Sequence, residues 1–190
     1  LSEAGVKCCG IERDSKNPSG LASIWVDACG ENAIVLSAGA NGGVDMVYLD
    51  RHREEIGRAE VLMMQLEIPI KTVDSLLRQL PENGPRVILD PAPAQNLSSL
   101  PLERISVLTP NEHELRVISG RDGVEAGAFA LLDRGVQDVV VTLGAQGAIR
   151  FSSDGSLTHC AAPEVRMIDT TGAGDAFNGA LAWALQSMSL

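Results

Sequence analysis

The chain has 190 residues, 45% of them hydrophobic, which is enough for one domain with a substantial core. Its formal net charge of -10 argues against a nucleic acid or an anionic membrane as the main partner. The sequence has no apolar run long enough to span a membrane as a helix, and its four cysteines and three histidines have no metal-ligand spacing. We therefore expect a globular protein with reduced thiols in the cytoplasm.

The first third of the chain differs in pattern from the rest. It begins with LSEAGVKCCG, without an initiator Met, so we expect it to start inside a longer protein. Two β-rich runs follow at residues 21–27 and 33–37, separated by a short turn. This pattern predicts an antiparallel hairpin.

After the hairpin, strand-like runs alternate with helical ones. The predicted strands lie at 59–67, 86–90, 105–109 and 138–144, and the predicted helices at 70–80, 111–119, 123–135 and 174–186. Continuous apolar strands that alternate with helices are typical of a mostly parallel sheet covered on both faces. Residues 147–165 predict an antiparallel hairpin at the edge of that sheet, turning at Asp154-Gly155.

A polar residue stands at the carboxyl end of every predicted strand. These residues are Glu67, Asp90, Asn111, Thr142 and, after the strand-like run VRMID, Asp169. Open α/β sheets bind their ligands at the carboxyl ends of the strands. A single polar strand end has an ordinary structural explanation, but five in one chain predict a functional site at this edge.

The last predicted helix has an unusual beginning, in the stretch IDTTGAGDAFNGALAWAL at 168–185. Apolar residues recur there at helical spacing and predict a buried face made of Ala176, Phe177, Ala180, Leu181, Ala184 and Leu185. We also assign Phe177 and Trp183 to the core. The preceding glycines, Gly172 and Gly174, allow an anion to approach the free N–H groups of a helix N-terminus.

Asp175 is the unexpected member of this stretch, because a carboxylate repels an anion. It is either a favourable acidic residue in a first helical turn or a general base that removes a hydroxyl proton during phosphoryl transfer. Two common phosphate-binding loops are excluded. The chain has no Gly-Lys pair for a Walker A loop, and Phe177 stands where a dinucleotide-binding loop needs its third glycine.

The stretch DTTGAGDAFNGAL closely resembles the C-terminal signature of the ribokinase-like (PfkB) carbohydrate kinases. Further similarity to the ribokinase branch of this family lies in GENAIVLSAGAN (30–41), MQLEIP (64–69), DPAPA (90–94), TPNEHE (109–114) and VVVTLGAQGA (139–148). The resemblance implies a three-layer α/β/α fold with a mostly parallel sheet and a small antiparallel β-lid at about 19–38. The family's N-terminal sugar-binding region and its C-terminal part have no counterpart in these 190 residues.

The resemblance also implies roles for individual residues. Asp175 matches the catalytic base, and the N–H groups of Gly172, Ala173 and Gly174 match the anion hole for the phosphoryl group. Glu67 matches a sugar contact, and Asn111 and Glu114 match the N-x-x-E motif that orders the water network of Mg²⁺ and phosphate. The nucleotide-contacting loop corresponds to Thr142, Leu143, Gly144, Ala145, Gln146 and Gly147. Asp169 and Thr171 match positions that hold an activating monovalent cation, usually K⁺.

Several of these residues have a structural alternative. Asn111 and Glu114 also fit an N-cap and its partner three residues later, and both roles can coexist. Glu67 and Thr142 fit ordinary strand ends, and Asp169 fits a turn that its own side chain stabilises. We assign Asp90-Pro91 a structural role.

Three hypotheses of function follow. The first, implied by the resemblance, is transfer of the γ-phosphoryl group of ATP to the 5-hydroxyl of D-ribose. The second keeps the mechanism but changes the acceptor to deoxyribose, fructose or a nucleoside such as adenosine. The third is a truncated, inactive kinase-like domain. In the family the lid also pairs two subunits, and the composition is compatible with a homodimer.

Overall fold

A computed structural model describes residues 1–26, 32–166 and 170–187. Its main sheet has six strands in the order of the chain: β3 (Val61–Met64), β4 (Arg86–Leu89), β5 (Val107–Leu108), β6 (Asp138–Thr142), β7 (Ala148–Ser152) and β8 (Leu157–Cys160). The first four are parallel, and β7 and β8 continue the sheet as an antiparallel hairpin. The predicted parallel sheet and its antiparallel edge are both confirmed.

The β-lid is a separate two-stranded sheet. Its strands are β1 (Leu21–Val26) and β2 (Asn32–Ser37), which pair antiparallel with Leu21 opposite Ser37. The hairpin predicted at 21–37 is therefore confirmed on both sides of its turn, while the turn lies outside the described residues. Leu21, Trp25 and Val35 are each more than 60% exposed, so the lid presents apolar surface.

Six α-helices lie in the described part of the chain. They are α1 (Met46–Arg51), α2 (Arg53–Arg58), α3 (Ile70–Gln79), α4 (Glu112–Ser119), α5 (Val124–Leu132) and α6 (Ala173–Ser187). The four predicted helices correspond to α3 through α6. The sequence pattern predicts neither α1 nor α2, although Asp45 is a standard N-cap of α1 whose carboxylate accepts a hydrogen bond from the Tyr48 N–H at 2.9 Å. None of the described helices has the length and apolar character that crossing a membrane requires.

The two faces of the sheet carry unequal cores. Because side chains alternate along a strand, Val87 and Leu89 of β4 point to one face and Ile88 points to the other. The first face packs against α3, α4 and α5 in a large apolar cluster. The second face, with Ile88, is covered by α6 in a small one. The three-layer arrangement is thus present, and the apolar core between the sheet and α6 is smaller than the core between the sheet and α3, α4 and α5.

The orientation of α6 differs from the prediction in part. Of the predicted face, Leu185 is buried and Phe177, Leu181 and Ala184 are half-buried, with Phe177 and Leu181 packed against the small cluster. Ala176 and Ala180 are exposed, and Ala182, which lies outside the predicted face, is buried. Trp183, predicted to be a core residue, is 72% exposed, so that prediction is wrong. Of the strand-like run VRMID, Val165 and Arg166 lie outside any strand, and 167–169 lie outside the described residues.

Candidate active site

The helix α6 begins in a glycine turn. Gly172 has a φ of +76°, a left-handed conformation that favours glycine, and its carbonyl accepts the first helical hydrogen bond from the Ala176 N–H at 2.9 Å. The Ala173 N–H donates to the Thr170 carbonyl at 3.1 Å. The next N–H groups, of Gly174 and Asp175, have no acceptor within the helix, because the first turn of any helix lacks one. An anion at this end of α6 would therefore find donors at these two positions.

This first turn of α6 separates two hollows. Ala173 and Gly174 line a largely apolar cavity of about 790 Å³, whereas the next residue, Asp175, lines a cleft of about 580 Å³. The side chain of Asp175 is exposed. Consecutive residues of one turn thus line two different hollows.

The cavity beside Ala173 and Gly174 is closed on its other side by the predicted nucleotide loop. Thr142, Gly144 and Gly147 line it, together with Phe177 of α6 and the segment 160–163 that follows β8. Three members of the predicted loop, namely Leu143, Ala145 and Gln146, are not among the lining residues. The structure therefore brings the loop and the start of α6 to one cavity.

Backbone hydrogen bonds hold the loop in a tight turn. The Leu143 N–H donates to the Gly147 carbonyl at 2.8 Å, and the Gln146 carbonyl lies 2.9 Å from the His159 ring nitrogen Nε2. Leu143 is half-buried and packs against the large core. Gly147 has a φ of +94°, and a Cβ atom there would lie 2.0 Å from the Cys160 carbonyl oxygen. Only glycine fits this crossing of two chain segments.

Asn111 and Glu114 form a complete capping box at the start of α4. The Glu114 N–H donates to Asn111 Oδ1 at 2.8 Å, and the Asn111 N–H donates to Glu114 Oε2 at 2.9 Å. Asn111 also forms a β-bridge with Thr142, so the cap lies next to the nucleotide loop. The structural role considered for this pair is confirmed, and the phosphate role implied by the resemblance remains a prediction.

Asp90 lies directly after β4 and lines the same cleft as Asp175. Burial raises the pKa of Asp90 to about 6, and repulsion from the carboxylates of Glu114 and Asp175 adds to the shift. Hydrogen bonds from the Ala92 N–H and the Asn178 amide oppose this rise in the pKa of Asp90. The role assigned to Asp90-Pro91 was structural, so this electrostatic coupling to the site is an addition that only the fold reveals.

The raised pKa of Asp90 predicts a pH-dependent stability. Because the folded-state pKa lies above the unfolded value of 3.8, the folded chain binds the proton more tightly and is stabilised at low pH. That stabilisation is lost as the pH rises through about 6. Between pH 4 and pH 7 we expect the parent chain to lose about 1 kcal/mol relative to Asp90→Asn, because solvent screens part of the effect at this half-buried carboxyl, and urea unfolding of both proteins measures the loss. A pH-independent difference between them would contradict the assignment.

Glu67 lies in a third hollow, beneath the lid. A cavity of about 730 Å³ is lined by Glu67 and Leu66 from the sheet edge, by lid residues and by Asn41 and Pro93. The Glu67 N–H donates to the side-chain oxygen of Gln65, and Gln65 in turn lines the cleft of Asp175. The predicted sugar contact and the predicted base are therefore in adjoining hollows joined by Gln65.

The predicted cation positions are described only in part. Asp169 lies outside the described residues, and Thr171 is exposed in the turn before α6. For Mg²⁺ the described residues offer no ready-made cage of three or more His, Cys, Asp or Glu. Mg²⁺ at phosphoryl-transfer sites is bound through one or two carboxylates and keeps its water and phosphate ligands, which Asn111 and Glu114 beside Thr142 would suit.

Sequence analysis missed one residue of the cleft entirely. Asn178 is 4% exposed, and its Nδ2 donates to Asp90 Oδ2 at 2.8 Å. A polar residue on the otherwise apolar face of α6 was the available signal, because a buried amide requires a partner.

Comparison with known proteins places this chain in one family. The sequence model of the pfkB family carbohydrate kinases matches residues 1–189. Over 188 residues the chain is 37% identical to a ribokinase of Schizosaccharomyces pombe, covering 95% of this chain and 59% of that protein. It is 32% identical to a deoxyribokinase of Salmonella typhi over 188 residues, 96% of this chain and 61% of that protein.

A solved structure supports the same relationship. The ribokinase of Arabidopsis thaliana, complexed with ribose and ATP, matches with a TM-score of 0.79 and 29% identity, covering 92% of this chain and 59% of that chain. This chain spans about 60% of the length of these relatives. The match over nearly all of its residues establishes that the chain belongs to the pfkB family of carbohydrate kinases.

Proposed function

We propose that this chain carries the phosphoryl-transfer centre of an ATP-dependent sugar kinase, with D-ribose as acceptor and its 5-hydroxyl as the attacking group. The observation that carries the proposal is the first turn of α6. It presents Ala173 and Gly174 to one cavity and Asp175 to the adjoining cleft. ATP occupies the cavity in this proposal, and the sugar reaches Asp175 from the other side.

In the proposed reaction, Asp175 accepts the proton of the sugar hydroxyl. The hydroxyl oxygen forms a bond to the γ-phosphorus, and the bond from that phosphorus to the bridging oxygen breaks, so that ADP leaves with the electron pair. The N–H groups at the start of α6 stabilise the negative charge on the transferred group. Because such transfer is mostly a matter of positioning and electrostatics, the helix N-terminus and one carboxylate are the essential protein parts.

We further propose that Mg²⁺ accompanies ATP and that K⁺ binds beside the anion hole. Mg²⁺ supplies charge neutralisation at the β- and γ-phosphates when bound. Asn111 and Glu114 would hold its water ligands, and Asp169 and Thr171 would hold K⁺. Support for the first assignment is the position of the α4 cap beside Thr142 of the nucleotide loop.

The acceptor is the less constrained part of the proposal. The chain is 37% identical to the ribokinase of Schizosaccharomyces pombe and 32% identical to the deoxyribokinase of Salmonella typhi. The higher identity favours ribose over deoxyribose as the acceptor. Glu67 beneath the lid is the residue that would contact the sugar. The exposed apolar lid residues Leu21, Trp25 and Val35 also support pairing of two subunits through the lid.

The test is an assay of ADP release with D-ribose, Mg-ATP and K⁺. It compares the 190-residue chain with the product of the whole reading frame that contains it. Turnover by the longer product alone would support the site assignments and make this chain an inactive piece of the enzyme. Turnover with deoxyribose, fructose or adenosine but not with ribose would overturn the acceptor. No turnover with any sugar or nucleoside would overturn the proposed function.

The two roles of Asn111 can be separated by substitution. Asn111→Ser keeps a capping side chain, whereas Asn111→Ala removes the bond to the Glu114 N–H and should cost about 1 kcal/mol of unfolding free energy. If Asn111 acts only as a cap, the serine variant retains both stability and turnover. If it also orders the phosphate network, the serine variant retains stability but loses turnover, as urea unfolding and the ADP-release assay would reveal.

A further inference from the structure

The bond between Asn178 and Asp90 connects α6 directly to the end of a central strand. Asn178 lies three residues after Asp175, so both side chains lie on neighbouring parts of one helix surface and line the same cleft. Its amide nitrogen Nδ2 is 2.8 Å from Asp90 Oδ2, and Asp90 immediately follows β4. Asp90 is itself held by the Ala92 N–H at its other oxygen, at 3.2 Å.

Apolar contacts also anchor α6 on this face of the sheet. Ala182 and Leu185, with Phe177 and Leu181 at the margin, pack on Ile88, Val107 and Val140. Apolar contacts set which side of the helix faces the sheet, but the hydrophobic effect is not directional and a small cluster constrains rotation and position along the helix axis only loosely. A hydrogen bond to a fixed carboxylate does fix both, because its energy depends steeply on distance and angle.

The amide oxygen of Asn178 indicates that this residue does not serve to stabilise the fold. Asn178 Oδ1 is buried and has no hydrogen-bond partner among the described residues. An unsatisfied buried carbonyl destabilises the folded state, and an apolar side chain of similar size would avoid this cost beside Leu181 and Ala182. Buried polar groups normally have hydrogen-bond partners, and exceptions to this rule are expected at functional sites.

We propose that Asn178 is a positioning residue, which clamps α6 to Asp90 at the end of β4 and thereby sets the direction of Asp175 toward the acceptor. The same clamp keeps Ala173 and Gly174 at the nucleotide cavity, because these two residues and Asp175 belong to one helical turn. This inference rests on the proposed function. Asn178 itself touches neither ligand in this proposal and acts through the placement of the turn.

An exchange of the two side chains tests the clamp. Asn178→Asp removes the donor and places two carboxylates against each other. Adding Asp90→Asn restores the pair in reverse, because the amide introduced after β4 can still accept from the Ala92 N–H while its NH₂ group donates to the carboxylate introduced on α6. The double variant also keeps the net charge of the parent. Asn83→Asp, in the exposed loop before β4, controls for an added negative charge.

We expect Asn178→Asp to lower kcat by about 10- to 100-fold, with KM for sugar and ATP changed less than about 3-fold, because a small misplacement of a reacting group costs rate more than binding. The exchanged double variant should recover most of the loss, and Asn83→Asp should match the parent. A kcat for Asn178→Asp equal to that of Asn83→Asp overturns the proposal. Recovery of the melting temperature without recovery of kcat also overturns it, since the pair would then be purely structural.

A measurement without substrate separates this inference from the proposed function. Hydrogen–deuterium exchange of the α6 amides should accelerate in Asn178→Asp and return toward the parent rate in the double variant, whether or not any sugar is phosphorylated. An unchanged exchange rate in Asn178→Asp overturns the clamp. Protected amides together with no turnover of any sugar or nucleoside by the product of the whole reading frame would instead leave the clamp in place and overturn the kinase assignment.

Discussion

Replacing Asp175 by asparagine should lower kcat by about 10²- to 10⁴-fold, which is the usual contribution of a general base. The amide has nearly the same shape but cannot take the proton of the sugar hydroxyl. Asp175 is exposed and lies at the start of α6, so the change leaves the packing of the helix untouched. Affinity for sugar and nucleotide should therefore remain, as isothermal titration with ribose and with a non-hydrolysable ATP analogue would reveal.

The alternative role of Asp175 is that of an acidic residue at a helix N-terminus, and a matched control tests it. Glu125 occupies the first turn of α5, is exposed, and has the same relation to its helix dipole. Glu125→Gln and Asp175→Asn should both cost at most about 1 kcal/mol of stability. Only Asp175→Asn should also lower kcat. Equal and small effects of the two substitutions on turnover would assign Asp175 to the helix alone.

Gly147→Ala should be among the most destabilising single substitutions in this chain. The φ of +94° is strained for any residue with a side chain, and the added Cβ would lie 2.0 Å from the Cys160 carbonyl oxygen and 2.6 Å from the Ala162 nitrogen. Both neighbours are backbone atoms and cannot rotate away. Strain and overpacking together predict a loss of about 2–5 kcal/mol in unfolding free energy. Because Gly147, Cys160 and Ala162 line the nucleotide cavity, ATP binding should weaken as well.

Gly155→Ala separates backbone strain from steric overlap as causes of the loss expected for Gly147→Ala. Gly155 has a φ of +85°, close to that of Gly147, but a Cβ there meets nothing within 4 Å. Its substitution should therefore cost only the backbone strain, about 1 kcal/mol. Urea unfolding of the two variants measures the difference. Equal losses would mean that the crossing of Gly147 with the 160–162 segment relaxes easily and that steric fit does not explain this glycine.

The sequence predicted the architecture well because its signals are local. Continuous apolar runs such as the one in β6, alternation with amphipathic helices, and turn residues such as Asp154-Gly155 each determine structure within a few residues. The polar strand ends were likewise visible, and the fold gathers Asp90, Thr142 and Glu67 near the same edge of the sheet. These features need no knowledge of distant contacts.

The remaining features depend on contacts between distant parts of the chain. Trp183 is a large aromatic side chain that suits a core, but the small cluster under α6 does not include it and it is exposed. Asp90 is an ordinary strand-end residue in sequence, and its raised pKa comes from burial and from carboxylates on other elements. The bond from Asn178 to Asp90 joins residues 88 positions apart. Periodicity carries no information about such pairs.

The unequal apolar layers on the two faces of the sheet bear on how the protein loses its structure. Unfolding free energy is distributed unevenly when one cooperative unit buries much less apolar surface than its neighbour. The small cluster under α6 is such a unit, and α3, α4 and α5 stabilise the sheet independently of it. A sub-global opening that releases α6 while the rest stays native would therefore remove Asp175 and both glycines at once. Inactivation by mild heat or denaturant would then precede the loss of most secondary structure.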